Sequence, residues 1–166
     1  RKPLIIRGAR QVGKTWLMKE FGKLYYEKCA YINFDNNSRM DILFNEEFDL
    51  NRIIQGLKIE SGINIEPENT LIIFDEIQET PNALKALKYF YENANEYHIV
   101  AAGSLLGVAM HQGTSFPVGK VNFMDLMPLS FFEFLDALGQ DHLLNLLKNI
   151  EFDMISVFNN KYKDYL

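Results

Sequence analysis

The chain has 166 residues, nearly half of them apolar, and a formal net charge of −5. That length corresponds to about one domain with room for a sizeable core, and the acidic balance gives no support for a nucleic-acid surface. A single cysteine, Cys29, excludes an internal disulfide framework and reads as a small buried hydrophobe. No apolar run approaches the roughly 18 residues of a membrane span, and no signal peptide is visible, so a soluble cytoplasmic protein is expected. The chain does not begin with methionine and leads at once into a strand, as a piece of a longer protein would.

In chain order, PLIIR at 3–7 is a short apolar run read as a buried strand. Leu17, Phe21, Leu24 and Tyr25 recur at helical spacing and mark a helix over about 14–27. Trp16, directly after Thr15, is either a reporter of binding at the loop or core packing under it. CAYINF at 29–34 is a second strand, ended by the turn-prone DNNS. Residues 49–60 form a helix with Ile53, Ile54 and Leu57 inward, and SGINIEPENT is loop. TLIIFD at 70–75 is a continuous apolar strand ending in acid. Thr80 caps the next helix with Pro81 at its first position, and Leu84, Leu87, Phe90, Tyr91 and Ala94 are its buried stripe. YHIVAAGS at 97–104 is another strand. HQGTSFPVGK is a loop or hairpin, and VNFMDLMPL contains a further strand. SFFE at 130–133 is a capping box with Leu129 and Phe134 at the staple positions. It opens a helix to about Leu138 that Gly139 closes, and a last helix starts near Asp141. Strands alternating with helices predict an α/β fold, a parallel sheet covered on both faces.

The chemistry starts at Gly8-Ala9-Arg10-Gln11-Val12-Gly13-Lys14-Thr15, which fits G-x-x-x-x-G-K-[ST] at every fixed position. Successive backbone N–H groups must wrap phosphate oxygens, so the chain needs glycine where it bends. The loop opens a helix whose N-terminus carries positive dipole and unsatisfied N–H groups. Lys14 supplies a full charge to the β- and γ-phosphates, and the Thr15 hydroxyl is a ligand for Mg²⁺. Arg10 either touches phosphate or points outward.

Such a loop needs a second group on the Mg²⁺ side, and LIIFDEIQ offers Asp75 after four apolar residues. Glu76, next to it, is the natural base for the attacking water. Gln78 is either a water-positioning or state-transmitting residue or an ordinary surface glutamine. HIVAAGS ends another apolar strand on Ser104, where a γ-phosphate sensor would sit. Asp35, after the second strand, is either near the site or a turn residue. His98, His111 and His142 show no metal-ligand spacing.

RGARQVGKT, then FDEIQ, then AAGSLLGVAMHQGTSFPVGKVNFMDLMPLSFFEFL resembles the AAA-type P-loop ATPases of bacteria and archaea. The resemblance spans residues 2 to about 138. It implies a three-layer fold with strand order 5-1-4-3-2 and helices on both faces. It also implies that an ATPase core over 1–138 is followed, from 139–166, by a helical extension toward a C-terminal domain of unknown function missing here. The motifs match the Walker A and Walker B elements of a Mg²⁺-dependent ATPase: Gly8 to Thr15 hold ATP, Thr15 and Asp75 the metal, and Lys14, Glu76 and Ser104 act on the γ-phosphate.

One departure stands out. The five arginines are Arg1, Arg7, Arg10, Arg39 and Arg52, and none follows the acidic strand. AAA ATPases usually supply an arginine finger from that later part, and such a residue can be worth about 10³–10⁵ in rate. It would come from the missing C-terminal region, from a protein partner, or in part from Lys120, which lies where related sequences often carry arginine. A nucleotide-gated switch that holds ATP or ADP with little turnover is therefore the alternative. Other phosphate-loop classes fit worse. NKYKD at 160–164 carries Lys163 where the guanine reader of a GTPase needs aspartate. A helicase needs a second motor domain, and a small-molecule kinase an arginine-rich lid.

Overall fold

The computed structural model describes residues 1–45, 48–103, 117 and 119–148. Five strands, β1 (Leu4–Arg7), β2 (Lys28–Asn33), β3 (Thr70–Asp75), β4 (His98–Gly103) and β5 (Asn122–Asp125), form one sheet. Every pairing is parallel, in the order β2-β3-β4-β1-β5. This is the expected order 5-1-4-3-2 read from the other edge.

Side chains alternate across a pleated strand, so each strand feeds two cores. On one face Ile72 and Phe74 of β3 join Ile32 of β2, Ile5 of β1 and Ala101 of β4. They pack against three helices, α2 (Ser38–Asn45), α3 (Leu50–Ser61) and α4 (Pro81–Asn93). On the other face Leu71, Ile73, Ile6, Val100 and Ala102 pack against Met18 of α1 (Lys14–Tyr25). Strand β3 has neighbours on both sides and helices on both faces, and all of its residues are buried. That is why TLIIF reads as an unbroken apolar run.

Helix α1 forms where expected, but not on the face its apolar residues suggested. Its buried row is Lys14, Met18 and Gly22, one residue per turn at i, i+4, i+8. Trp16, Phe21, Leu24 and Tyr25 are exposed instead, so Trp16 is no core residue. The reason is at Gly22. A β-carbon there would stand 2.4 Å from Cys29 Sγ and 3.2 Å from Leu71 Cδ2. The missing side chain lets the helix lie directly on β2 and β3. Cys29, expected to be buried, is half-buried against it.

Helix α2 was not anticipated. The DNNS turn does occur, with Asn36 at φ 53°, but it opens a helix rather than a loop. Only Met40 and Phe44 of α2 are buried, too few to give a periodic signal. Thr80 occupies the N-cap position of α4, before Pro81, yet makes no capping bond. Its hydroxyl donates to the Asp41 carboxylate on α2. The stripe of α4 is buried at Leu84, Leu87 and Phe90, and Ala94 just past its end is buried too; Tyr91 is half-buried. In α3, Ile53, Ile54 and Leu57 point inward as expected, and the Asp49 carboxylate caps the helix through Asn51 and Arg52 N–H.

The chain divides into two compact units, Arg1–Met127 and Pro128–Leu166. In the second, helices α5 (Phe131–Ala137) and α6 (Asp141–Lys148) pack through Leu135, Leu143 and Leu144. The capping box is present: Glu133 N–H donates to Ser130 Oγ and Ser130 N–H to Glu133 Oε2. Leu129 and Phe134 are both exposed. Gly139, at φ 66°, closes it.

Candidate nucleotide site

In a parallel sheet all strands end at the same edge, and the loops there meet. The register aligns Arg7 of β1 with Gly103 of β4 and Asp125 of β5, Asp75 of β3 with Asn33 of β2, and Asp75 with Ala102. The phosphate-loop sequence and the acidic pair therefore project from one edge.

Within the loop, Gly13 is left-handed at φ 94° and occupies the N-cap of α1, which has no side-chain cap and no acidic residue in its first turn. The first-turn amides are thus free of any side-chain carboxylate that would compete with an anion. Gln11 is left-handed too, at φ 63°. Gly8 is required by approach: a β-carbon would lie 2.3 Å from the Leu126 carbonyl oxygen, whose own N–H donates to Arg7 O at 2.8 Å. Ala9 and Arg10 are exposed, and Val12 is half-buried against Gly8.

Lys14 is only 6% exposed. Its ammonium donates to the carbonyls of Gly8 (3.0 Å) and Ala9 (2.6 Å), across the loop it ends. The charge is thereby held inside the curl of backbone. The Thr15 hydroxyl donates to Asp75 Oδ2 at 2.7 Å, tying the loop to the end of β3, and Asp75 is 4% exposed. A hydroxyl that donates its proton to a carboxylate keeps its lone pairs for a cation. A hydroxyl and a carboxylate are hard oxygen donors of the kind Mg²⁺ takes. Among the described residues no group of three or more His, Cys, Asp or Glu forms a metal cage.

Glu76 is a non-glycine residue at φ 52°, ψ 42°, a left-handed conformation with a strain of about 1–3 kcal/mol. It turns the chain sharply out of β3 and into the short 3₁₀ turn Ile77–Glu79. Gln78 reaches back: its Nε2 donates to Glu76 Oε2 at 2.7 Å and to Glu79 Oε1 at 3.1 Å. Gln78 Oε1 is buried without a hydrogen-bond partner among the described residues. Gln78 is therefore joined to the candidate base.

A residue that sequence reasoning missed also converges on Asp75. Tyr31 of β2 donates its phenolic proton to Asp75 Oδ2 at 2.9 Å, and the Lys19 ammonium lies 3.7 Å from its ring centroid. Burial, with the Asp75 carboxylate beside it, pushes the phenol well up, so it stays a donor. The available signal was a polar tip within the apolar alternation of CAYINF.

Other expected residues lie elsewhere. Ser104 is outside the described residues, which on β4 end at Gly103. Asp35 is an exposed turn residue whose N–H donates to Asn33 Oδ1. Lys120 precedes β5, at the opposite edge of the sheet. It pairs with Glu92 at 2.9 Å and lies over Tyr91, away from the phosphate loop of its own chain. Arg7 is a bidentate partner of Asp125, and Arg39 of Glu60. A cavity of about 220 Å³ lined by Leu4, Phe21, Tyr26, Leu71 and His98 also opens at that opposite edge. No helix among the described residues is long and apolar enough to cross a membrane.

A family described as AAA domain matches residues 1–135. Among solved structures, the chain is similar to the Walker-type ATPase PABY2304 of Pyrococcus abyssi. The TM-score is 0.56 and the identity 15%, over 83% of this chain and 52% of that one. C. elegans PCH-2 is also matched, at a TM-score of 0.46 and 17% identity over 88% of this chain and 39% of that one. The chain thus spans about half the length of the first and less of the second. No curated protein matches the sequence.

Proposed function

The chain belongs to the AAA domain family, and from that premise we propose that it binds ATP with Mg²⁺ and hydrolyses it to ADP and phosphate. The observation that carries the reading is the 2.7 Å bond from Thr15 to Asp75, which joins the end of the phosphate loop to the acidic strand end 60 residues later. Lys14 and the loop amides from Gly8 to Thr15 hold the phosphates. Thr15 and Asp75 would hold the cation, which would supply neutralisation of charge on the transferring phosphoryl group. Glu76 takes a proton from the attacking water as the bond to the leaving ADP oxygen breaks. Ser104, after β4, senses the γ-phosphate. We assign this core to residues 1–138 of a cytoplasmic protein, the family match over 1–135 taking in helix α5 beyond the first compact unit, with 139–166 leading toward a further domain. Hydrolysis is coupled to a conformational change near the γ-phosphate.

A second reading, a switch with little turnover, is favoured by one observation: Gln78 holds Glu76 by hydrogen bond, in a chain with no arginine after Arg52. Titration with ATP and GTP, with and without Mg²⁺, followed by phosphate release, separates the two. The ATPase reading expects Mg²⁺-dependent release. Tight binding with no release in the presence of its partner domain favours the switch. Lys14→Ala is expected to weaken binding at least roughly tenfold in either case, because a buried charged donor is lost. Unchanged affinity in that variant overturns both.

A further inference from the structure

Among the described residues the Asp75 carboxylate accepts two side-chain hydrogen bonds, and both fall on the same oxygen. Thr15 reaches Oδ2 from α1 and Tyr31 reaches it from β2, at 2.7 and 2.9 Å. The register explains how. Tyr31 pairs with Ile73 and Asn33 with Asp75, so Tyr31 is the diagonal neighbour of Asp75 on the face covered by α1. The ring is fixed from above by Lys19, one helical turn after Thr15. Helix α1 thus touches the acid directly through Thr15 and indirectly through Lys19 and Tyr31. Two donors from different elements hold one carboxylate oxygen, and among the described residues no donor is found on Oδ1.

We propose that Tyr31 is a positioning residue that orients the Asp75 carboxylate so that Oδ1 faces the hydration shell of the Mg²⁺ accompanying the bound triphosphate. The inference rests on the Mg²⁺–ATP reading above. Its content is separate: the phenolic hydroxyl acts through Asp75 on the cation and makes no contribution to phosphate contacts, which come from the loop and Lys14. A packing role for the ring alone predicts no such division, since phenylalanine fills the same space under Lys19.

The test is titration of Mg²⁺ into the protein with a non-hydrolysable ATP analogue, followed by the fluorescence of Trp16, the single tryptophan, which adjoins Thr15. In Tyr31→Phe the Mg²⁺ concentration at half-saturation is expected to rise about tenfold, the loss of one charge-assisted hydrogen bond. Analogue affinity in EDTA stays at the wild-type value. Tyr31→Leu, which also removes the ring, is expected to show the same Mg²⁺ shift together with a lower Tm. Wild-type Mg²⁺ half-saturation in the Phe variant, with a shift only in the Leu variant, overturns the proposal in favour of packing. Wild-type protein whose analogue binding ignores Mg²⁺ overturns the underlying reading and this inference with it, and that arm is read before either variant.

Discussion

Gly8 and Lys14 illustrate how much a single position in the loop carries. The motif spacing made both legible in the sequence, because the physics of wrapping backbone around phosphate fixes residue types at those positions. What the motif did not reveal is why glycine is needed at position 8: the obstacle is the Leu126 carbonyl, contributed by a segment 118 residues later. Gly8→Ala is expected to destabilise the protein by about 1–3 kcal/mol, the usual penalty of forcing a methyl group into filled space. Chemical denaturation measures it, and wild-type stability would contradict the close approach. Tyr31 was not legible for the complementary reason. Its role depends on a diagonal contact between β2 and β3, and nothing within CAYINF says which strand will be its neighbour. Gln78 was legible only as an ambiguity, which its bond to Glu76 narrows.

At the scale of elements, the strands and the longer helices followed from apolar runs and caps, while α1 and α2 show where periodicity falls short. In α1 the apolar residues are numerous on the exposed side, and the buried row contains a lysine and a glycine. Both are there because of what they approach, not because of their hydropathy. In α2 only two residues are buried, and polar ties add to their packing. Asn37, just before it, donates to Glu60 of α3 at 2.9 Å, and Arg39 within it makes a bidentate pair with the same carboxylate. Arg39 and Asn37 hold the Glu60 carboxyl below its ordinary value. A carboxyl depressed in the folded state favours folding fully at pH above its unfolded value and ceases to do so as pH falls through its folded value. Stability should therefore drop on acidification below the ordinary glutamate range, about pH 4.3. The drop should be shallower in Glu60→Gln. Thermal unfolding of the two proteins between pH 6 and pH 3 checks this; parallel curves would remove Glu60 from the account.

For the whole molecule, the parallel class of the sheet was legible from the alternation of strands and helices, but its order was not. The order came from the resemblance of three separated motifs to a family, and the strand pairings bear it out. That order matters because it puts the ends of β1 and β3 on either side of β4, close enough for Thr15 to reach Asp75. The edge strand β5 is short and largely exposed, and a four-residue run of that kind carries little sequence signal. Lys120, read as a partial substitute for an arginine, cannot reach the phosphate loop of its own chain, since the residue before a parallel strand and the loop after its neighbour lie at opposite edges.

Glu76, the proposed base, belongs to a site whose phosphate loop and cation-holding pair do not include it. The direct measurement is single-turnover phosphate release from Mg²⁺–ATP by wild-type and Glu76→Gln protein, with ATP affinity measured in parallel. Glu76→Gln should bind ATP as the wild type does and release phosphate about 10²–10⁴ times more slowly. Equal release rates from the two proteins would remove Glu76 from the role of base.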